Sequence, residues 1–259
     1  MPAPGRPPAY AHPVLRIIDA RTGESLDPAP ARRGLTRVEA HAPGFDAGAL
    51  RVLLVADLLV RALELGGTPV WSLLTAEREQ PELRAGAAAL GIRPFEDSRE
   101  MGAGLGEAQV IHVAGEGAAA PDGVRVAVAP VHAETSGPSA VPGLSAGSDP
   151  AVLRLALLTR PHGTPLRLDA ASLSEARETL VRWRQAVADW ARRPSRPVPD
   201  EVRGRLRTAW EDDLNVSEVL RVLGRVETSD LAEGARFETY AYADRLLGLD
   251  LTRDLGAPG

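Results

Sequence analysis

Along the first half of the chain the spacing of apolar residues switches repeatedly between the strand period and the helix period. Short apolar runs, mostly β-branched, at 14–18, 36–41, 68–74, 109–114 and 124–129 read as strands. Between the second and third runs, Leu50, Leu53, Leu54, Leu58 and Leu65 recur at helical spacing. Asp46 stands where an N-cap is needed, and Gly66 and Gly67 stand where the helix must stop. A second helix fits 81–90, closed by Gly91. Strands alternating with helices predict right-handed crossovers and a Rossmann-like parallel sheet over 14–132.

The stretch 133–148 is rich in Gly, Pro, Ser and Ala and reads as a linker. Beyond it the period is helical. Asp149 and Pro150 offer an N-cap followed by proline in the first turn, for a helix running to Arg160. Ser172 and Glu175 have capping-box spacing before a long helix. Its apolar stripe is Leu173, Ala176, Leu180, Trp183, Val187 and Trp190. Further helices fit 201–212, 217–226 and 230–247, so 149–259 is expected to be an all-α bundle with no strand after residue 150. Residues 1–13 hold five prolines without an apolar core and read as a loose tail, not a signal peptide. The most apolar stretch, 47–65, carries Arg51, Asp57, Arg61 and Glu64, too many charges for a membrane span. The expected location is the cytoplasm.

Composition narrows the chemistry. The chain has 259 residues, 30 basic and 35 acidic, and every basic residue is arginine. Without lysine there is no Schiff-base or Walker-type lysine. Without cysteine there is no thiol nucleophile, disulfide or thiolate metal ligand. Charge is uneven: residues 160–207 hold 11 arginines against 6 acids, whereas 208–259 hold 5 against 11. Arg177, Arg184, Arg192 and Arg193 fall off the Leu/Trp stripe and are candidate polyanion contacts, a solvated helix face being the plainer reading.

Three glycine patterns look catalytic without the context that catalysis needs. Gly143-Leu144-Ser145-Ala146-Gly147 matches a nucleophile elbow, but a loop precedes it where a strand is required. Gly115-Glu116-Gly117 with Ala120 follows a strand, yet Pro121-Asp122-Gly123 replaces the helix of a dinucleotide site. Gly102-Ala103-Gly104-Leu105-Gly106 precedes a strand instead of following one. The last two are expected to be turns, and a serine hydrolase is not expected from the first.

The order of these segments resembles the cysteinyl-tRNA synthetases and their relative, the cysteine ligase of mycothiol biosynthesis. Asp149-Pro150-Ala151-Val152-Leu153-Arg154-Leu155-Ala156-Leu157-Leu158 is similar to the family's "DPxVLRxxLL" segment, and Leu180-Val181-Arg182-Trp183-Arg184 to the helix that follows. Ala209-Trp210-Glu211-Asp212-Asp213-Leu214-Asn215 resembles "AMDDDFNTP". Leu15-Arg16-Ile17-Ile18-Asp19 resembles the opening strand, and Val70-Trp71-Ser72-Leu73-Leu74-Thr75 resembles "VTYVQNFTD". The resemblance implies a class I synthetase sheet followed by the stem-contact helices, with ATP as cofactor and tRNA or another protein as partner.

Departures fall on the signatures. The ATP-binding "HIGH" motif is reduced to Asp46-Ala47-Gly48-Ala49, and the "KMSKS" loop has no lysine. Asp46, Gly48, Arg51 and Thr75 are the candidate remnant of a nucleotide site. The family's zinc is held by cysteine, histidine and glutamate. Here His41 stands at the first cysteine position, and "FPHHENE" is reduced to Ala129-Pro130-Val131-His132-Ala133-Glu134. His41, His132 and Glu134 are the only candidate ligands, and zinc is not expected. Each lost transition-state donor removes about 3–4 kcal/mol from adenylation. The expectation is therefore a paralogue that has lost amino-acid activation and binds a nucleotide, RNA or protein. The alternative is an ATP-dependent aminoacyl ligase with altered residues.

Overall fold

The computed structural model describes residues 14–30, 35–98, 109–134, 141–145 and 147–256. Strands β3 (Thr36–Ala42), β4 (Val70–Ala76), β5 (Glu96–Asp97), β6 (Gln109–Gly115) and β7 (Val124–Val128) form a parallel sheet in the order β5-β4-β3-β6-β7. The expected parallel α/β sheet and the helical region after it are both present.

Helix α1 (Ala47–Leu65) runs from β3 to β4 and packs on the sheet face formed by Thr36, Val38, Ala40 and Ala42, which are all buried. Moving the other way across the sheet, a right-handed connection from β6 to β7 must cross the opposite face. Residues 116–123 do so as an irregular segment, a turn at 116–117 and a bend at 122–123, with no helix. A Cβ on Gly123 would lie 3.0 Å from the His112 ring, and Gly123 has φ +148°, so this close crossing requires glycine.

α1 is apolar nearly all round because it is covered on both sides. The sheet lies on one side and α7 (Glu233–Leu247) on the other. Among the described residues no helix is long and apolar enough to cross a membrane. Between them come α2 (Gln80–Ala89), α3 (Pro150–Leu158), α4 (Ala170–Trp190), α5 (Asp200–Glu211) and α6 (Val216–Glu227). The α4 stripe is buried as its period requires, with Trp183 and Trp190 edge-on to Tyr240 at 5.6 and 5.2 Å between centroids.

Several expectations need correction. Strand β9 (Leu166–Leu168) lies after residue 150 and pairs in parallel with β8 (Val131–Ala133). Its buried–exposed–buried Leu-Arg-Leu triplet is too short to register as a period. The cap of α4 is Asp169, not Ser172: the Asp169 carboxylate accepts from Ser172 N at 2.9 Å, while Ser172 Oγ accepts from Asp169 N. The first strand shrinks to β1 (Ile17–Ile18), paired antiparallel with β2 (Ser25–Leu26) outside the main sheet. Arg16 instead joins the α5–α6 corner, donating its N–H to the Glu211 carbonyl at 2.8 Å.

The two halves meet through a buried charge network. Asp57, on α1, accepts from Arg61 at 2.8 Å, Arg93 at 3.0 Å and Arg154 at 3.0 Å. Arg154 is fully buried and also donates to the carbonyls of Leu90 and Leu247. Burial opposes the Asp57 charge, but the surrounding guanidinium groups prevail and hold its carboxyl below the usual range. Removing one member leaves a buried charge unpaired, which costs about 3–5 kcal/mol. Asp57→Asn is expected to lower the unfolding free energy by about that amount in a urea titration. A loss under about 1 kcal/mol would show that the network behaves as an exposed one.

Candidate functional site

In a parallel sheet the connections leave a crevice where the strand order reverses, and ligands bind there at the carboxyl ends of the strands. Here the reversal lies between β3 and β6. Alternation turns Arg37, Glu39 and His41 away from α1, onto the face crossed by residues 116–123. In register beside them are Thr75 on β4, His112 on β6 and Arg125 on β7.

Three of these side chains converge. His41 Nε2 lies 2.9 Å from His112 Nδ1, and His112 Nδ1 lies 3.7 Å from Glu39 Oε2. One donor atom from each of the three falls within 4.8 Å of the others. Thr75 Oγ1 donates to Glu39 Oε1 and sits 2.6 Å from Ser98 Oγ. Burial lowers the pKa of His112 below 6.5; Arg125 adds to this, while Glu39 and a backbone bond to Asp122 oppose it. Burial likewise lowers His41, against Glu39, with His112 and Arg125 adding to the shift. Both rings are therefore neutral near pH 7.

The remnant nucleotide motif has a different character. Asp46 accepts from Ala49 N at 2.6 Å, filling the amino end of α1 with a carboxylate of the chain itself. A Cβ on Gly48 would lie 3.2 Å from Asp46 Oδ1, so this glycine makes room for the cap. Glu79 Oε2 accepts from Phe45 N at 3.0 Å, bringing a second carboxylate to the same loop. Arg78 turns to the Pro43 carbonyl. Arg51 does not reach this end and is corrected to a structural role. It is buried, and it donates to the carbonyls of Ala129, Thr164, Arg160 and Pro161. Burial pushes its pKa down to about 10. An anion approaching this end of α1 would meet the Asp46 cap on the helix and the Glu79 carboxylate in the loop before it.

Other candidates separate. His132 is exposed on β8, and Glu134 pairs with Arg167, so neither joins His41. The donor set implied for zinc by the resemblance does not form, because the β8 segment is drawn to β9. Arg184, expected in solvent, is buried and donates to the Asp149 carboxylate and the carbonyls of Leu249 and Asp250. Arg193 pairs with Glu233 at 2.7 Å but stays exposed, as do Arg177 and Arg192. Ser145 lies in a bend, and the described residues 141–144 before it form no strand. Residues 1–13 and the Gly102–Gly106 pattern lie outside the described residues.

Sequence reasoning missed Glu39 and His112 as partners of His41. Glu39 lies two residues before His41 on β3, a spacing that the chain does express, whereas His112 is joined only by strand register. It also missed the role of His162. Its Nδ1 lies 3.0 Å from the Ala127 carbonyl, and its Nε2 lies 3.1 Å from the Asp213 carbonyl and 3.3 Å from the Asp213 carboxylate. Only an imidazolium can donate on both sides. Burial opposes that charge, but the bonds to Asp213 and Ala127 raise the pKa above 6.5.

Stability from a raised histidine is complete below its unfolded pKa and is lost as pH rises through the folded value. His41 and His112, being lowered, act in the opposite sense: their contribution is lost as pH falls through their folded values. Urea midpoints are expected to decline on both flanks. In His162→Gln the alkaline decline should flatten while the acid one stays. An unchanged alkaline flank would contradict the assignment.

A parallel sheet with polar groups at its reversal point defines the class as Rossmann-like. No known family profile matches the chain. Three curated proteins match part of it, each an L-cysteine:1D-myo-inositol 2-amino-2-deoxy-alpha-D-glucopyranoside ligase. The one from Parafrankia sp. is 37% identical over 118 residues, covering 42% of this chain and 26% of that protein. The one from Kytococcus sedentarius is 35% identical over 123 residues, covering 41% and 28%. That of Streptomyces griseus is 36% identical over 110 residues, covering 40% and 26%. These matches bear out the resemblance to the cysteinyl-tRNA synthetase family and its cysteine ligases, over a stretch about a quarter of the relatives' length.

Proposed function

We propose that this chain is a ligase relative that no longer forms an aminoacyl adenylate and acts by binding. The observation that carries this reading is the amino end of α1, where Asp46 caps the Ala49 N–H and Glu79 takes the Phe45 N–H of the loop before it. Adenylation is displacement at the α-phosphate of ATP, and its catalysis rests on donors aimed at growing negative charge. Acceptors occupy that position here, and the basic residue nearest in sequence on α1, Arg51, is spent on four backbone carbonyls. The chain has no lysine to swing in from a loop.

A role in holding tRNA would rest on Arg177, Arg192 and Arg193, which are exposed, since Arg184 is buried. The competing reading, an ATP-dependent ligase, is favoured by the names of the three relatives. Pyrophosphate exchange separates the two. Cysteine-dependent exchange is expected at background, and magnesium–ATP should leave the melting temperature unchanged. Exchange well above background, dependent on cysteine, would overturn the proposal and restore the ligase.

A further inference from the structure

We infer that Glu39, His41 and His112 form a site for a divalent cation of the zinc class, independent of whether adenylation is lost. The donor set differs from the one implied by the family resemblance, since His132 and Glu134 lie elsewhere and the chain has no cysteine. It arises from strand register: Glu39 pairs with His112 across β3 and β6, and His41 lies two residues on along the same face.

Distances favour a tetrahedral ion. Ligand bonds of roughly 2.0–2.2 Å place neighbouring donors about 3.4 Å apart. Two of the three separations, 2.9 and 3.7 Å, bracket that value, and the third lies within 4.8 Å. Two imidazoles and a carboxylate suit zinc, cobalt or nickel better than magnesium or calcium, which prefer oxygen. Three protein ligands leave a fourth position for water or an anionic ligand atom. Glu39 keeps 17% of its side chain exposed and His41 is half-buried, so the site is reached from solvent.

The surrounding groups hold the donors in ligating form. Thr75 fixes one Glu39 oxygen and leaves the other toward His112. His112 bonds the Asp122 backbone, and its Nε2 edge faces the crossover at Gly123. A hydrogen on Nε2 leaves the Nδ1 lone pair aimed into the cluster, the arrangement of metal-bound histidines. Without metal, His41 Nε2–H donates to that lone pair. On binding, this hydrogen moves to His41 Nδ1 and both inward nitrogens face the ion, with no net proton released. Arg125 is the like charge beside the site, and it is turned to the Ala118 carbonyl.

The test is titration of chelator-treated protein with Zn2+ by calorimetry and with Co2+ by visible absorption. One ion per chain is expected, with the intense bands of a tetrahedral cobalt site and a rise in melting temperature on adding Zn2+. His41→Gln and Glu39→Gln, at half-buried positions, should each weaken binding by at least about tenfold, the loss caused even by changes outside the ligand shell. His132→Gln should bind as the parent does. Circular dichroism checks that each variant is folded. The melting shift of the unsubstituted protein tests the site without any variant. Absence of saturable binding and of a melting shift would overturn the proposal. So would binding that is lost with His132 and kept without His41.

Discussion

The most buried helix carries two charges, and the rest of the structure is arranged to satisfy them. Arg51 and Asp57 lie on α1 among leucines and valines, both about 1% exposed. Neither finds a complete set of partners on its own helix. Arg51 takes carbonyls from the end of the sheet and from the turn after α3, and Asp57 takes Arg154 from within α3. Uncompensated, either charge would be strongly unfavourable in that interior. The sheet and the helices after it must therefore meet in one register. A buried pair of this kind adds little over an apolar substitute of the same shape. Its effect is directional, because a guanidinium fork accepts few arrangements of oxygens.

That constraint reaches the candidate site. α1 leaves the sheet directly after β3, so holding α1 also holds the 43–46 loop and the end of β3 that presents His41. Inherited phosphate chemistry would need donors there. Carboxylates from Asp46 and Glu79 stand in their place, with neutral imidazoles and Glu39 across the sheet face. One fold thus keeps the geometry of a binding crevice, and the cation site proposed above draws on the polar side chains of its sheet face.

Much of the fold was legible because the signals are local. The leucine spacing of α1, its Asp46 cap and its Gly66 stop all appear as read. So does the α4 stripe, because a period sustained over many residues survives any tertiary context. Short pairings were not legible: β5, β8 and β9 hold two or three residues each and exist only through their neighbours. The site was half legible. His41 stood out by position and Glu39 lies two residues from it on the same strand, but His112 reaches them only through β3–β6 register. Arg184 was misread because an arginine off an apolar stripe reads as exposed unless buried acceptors are known, and Arg51 was assigned to the nucleotide remnant for want of the same knowledge. At both positions backbone carbonyls supply those acceptors.

The central claim is that neutral imidazoles face each other at the sheet reversal while a charged one is buried beside Asp213. A long-range proton–nitrogen correlation spectrum of the histidine rings at pH 7 reports each tautomer and charge directly. The account predicts His112 neutral with a bare Nδ1, His41 neutral, and His162 protonated on both nitrogens. Imidazolium signals from His41 and His112, or a neutral His162, would contradict it.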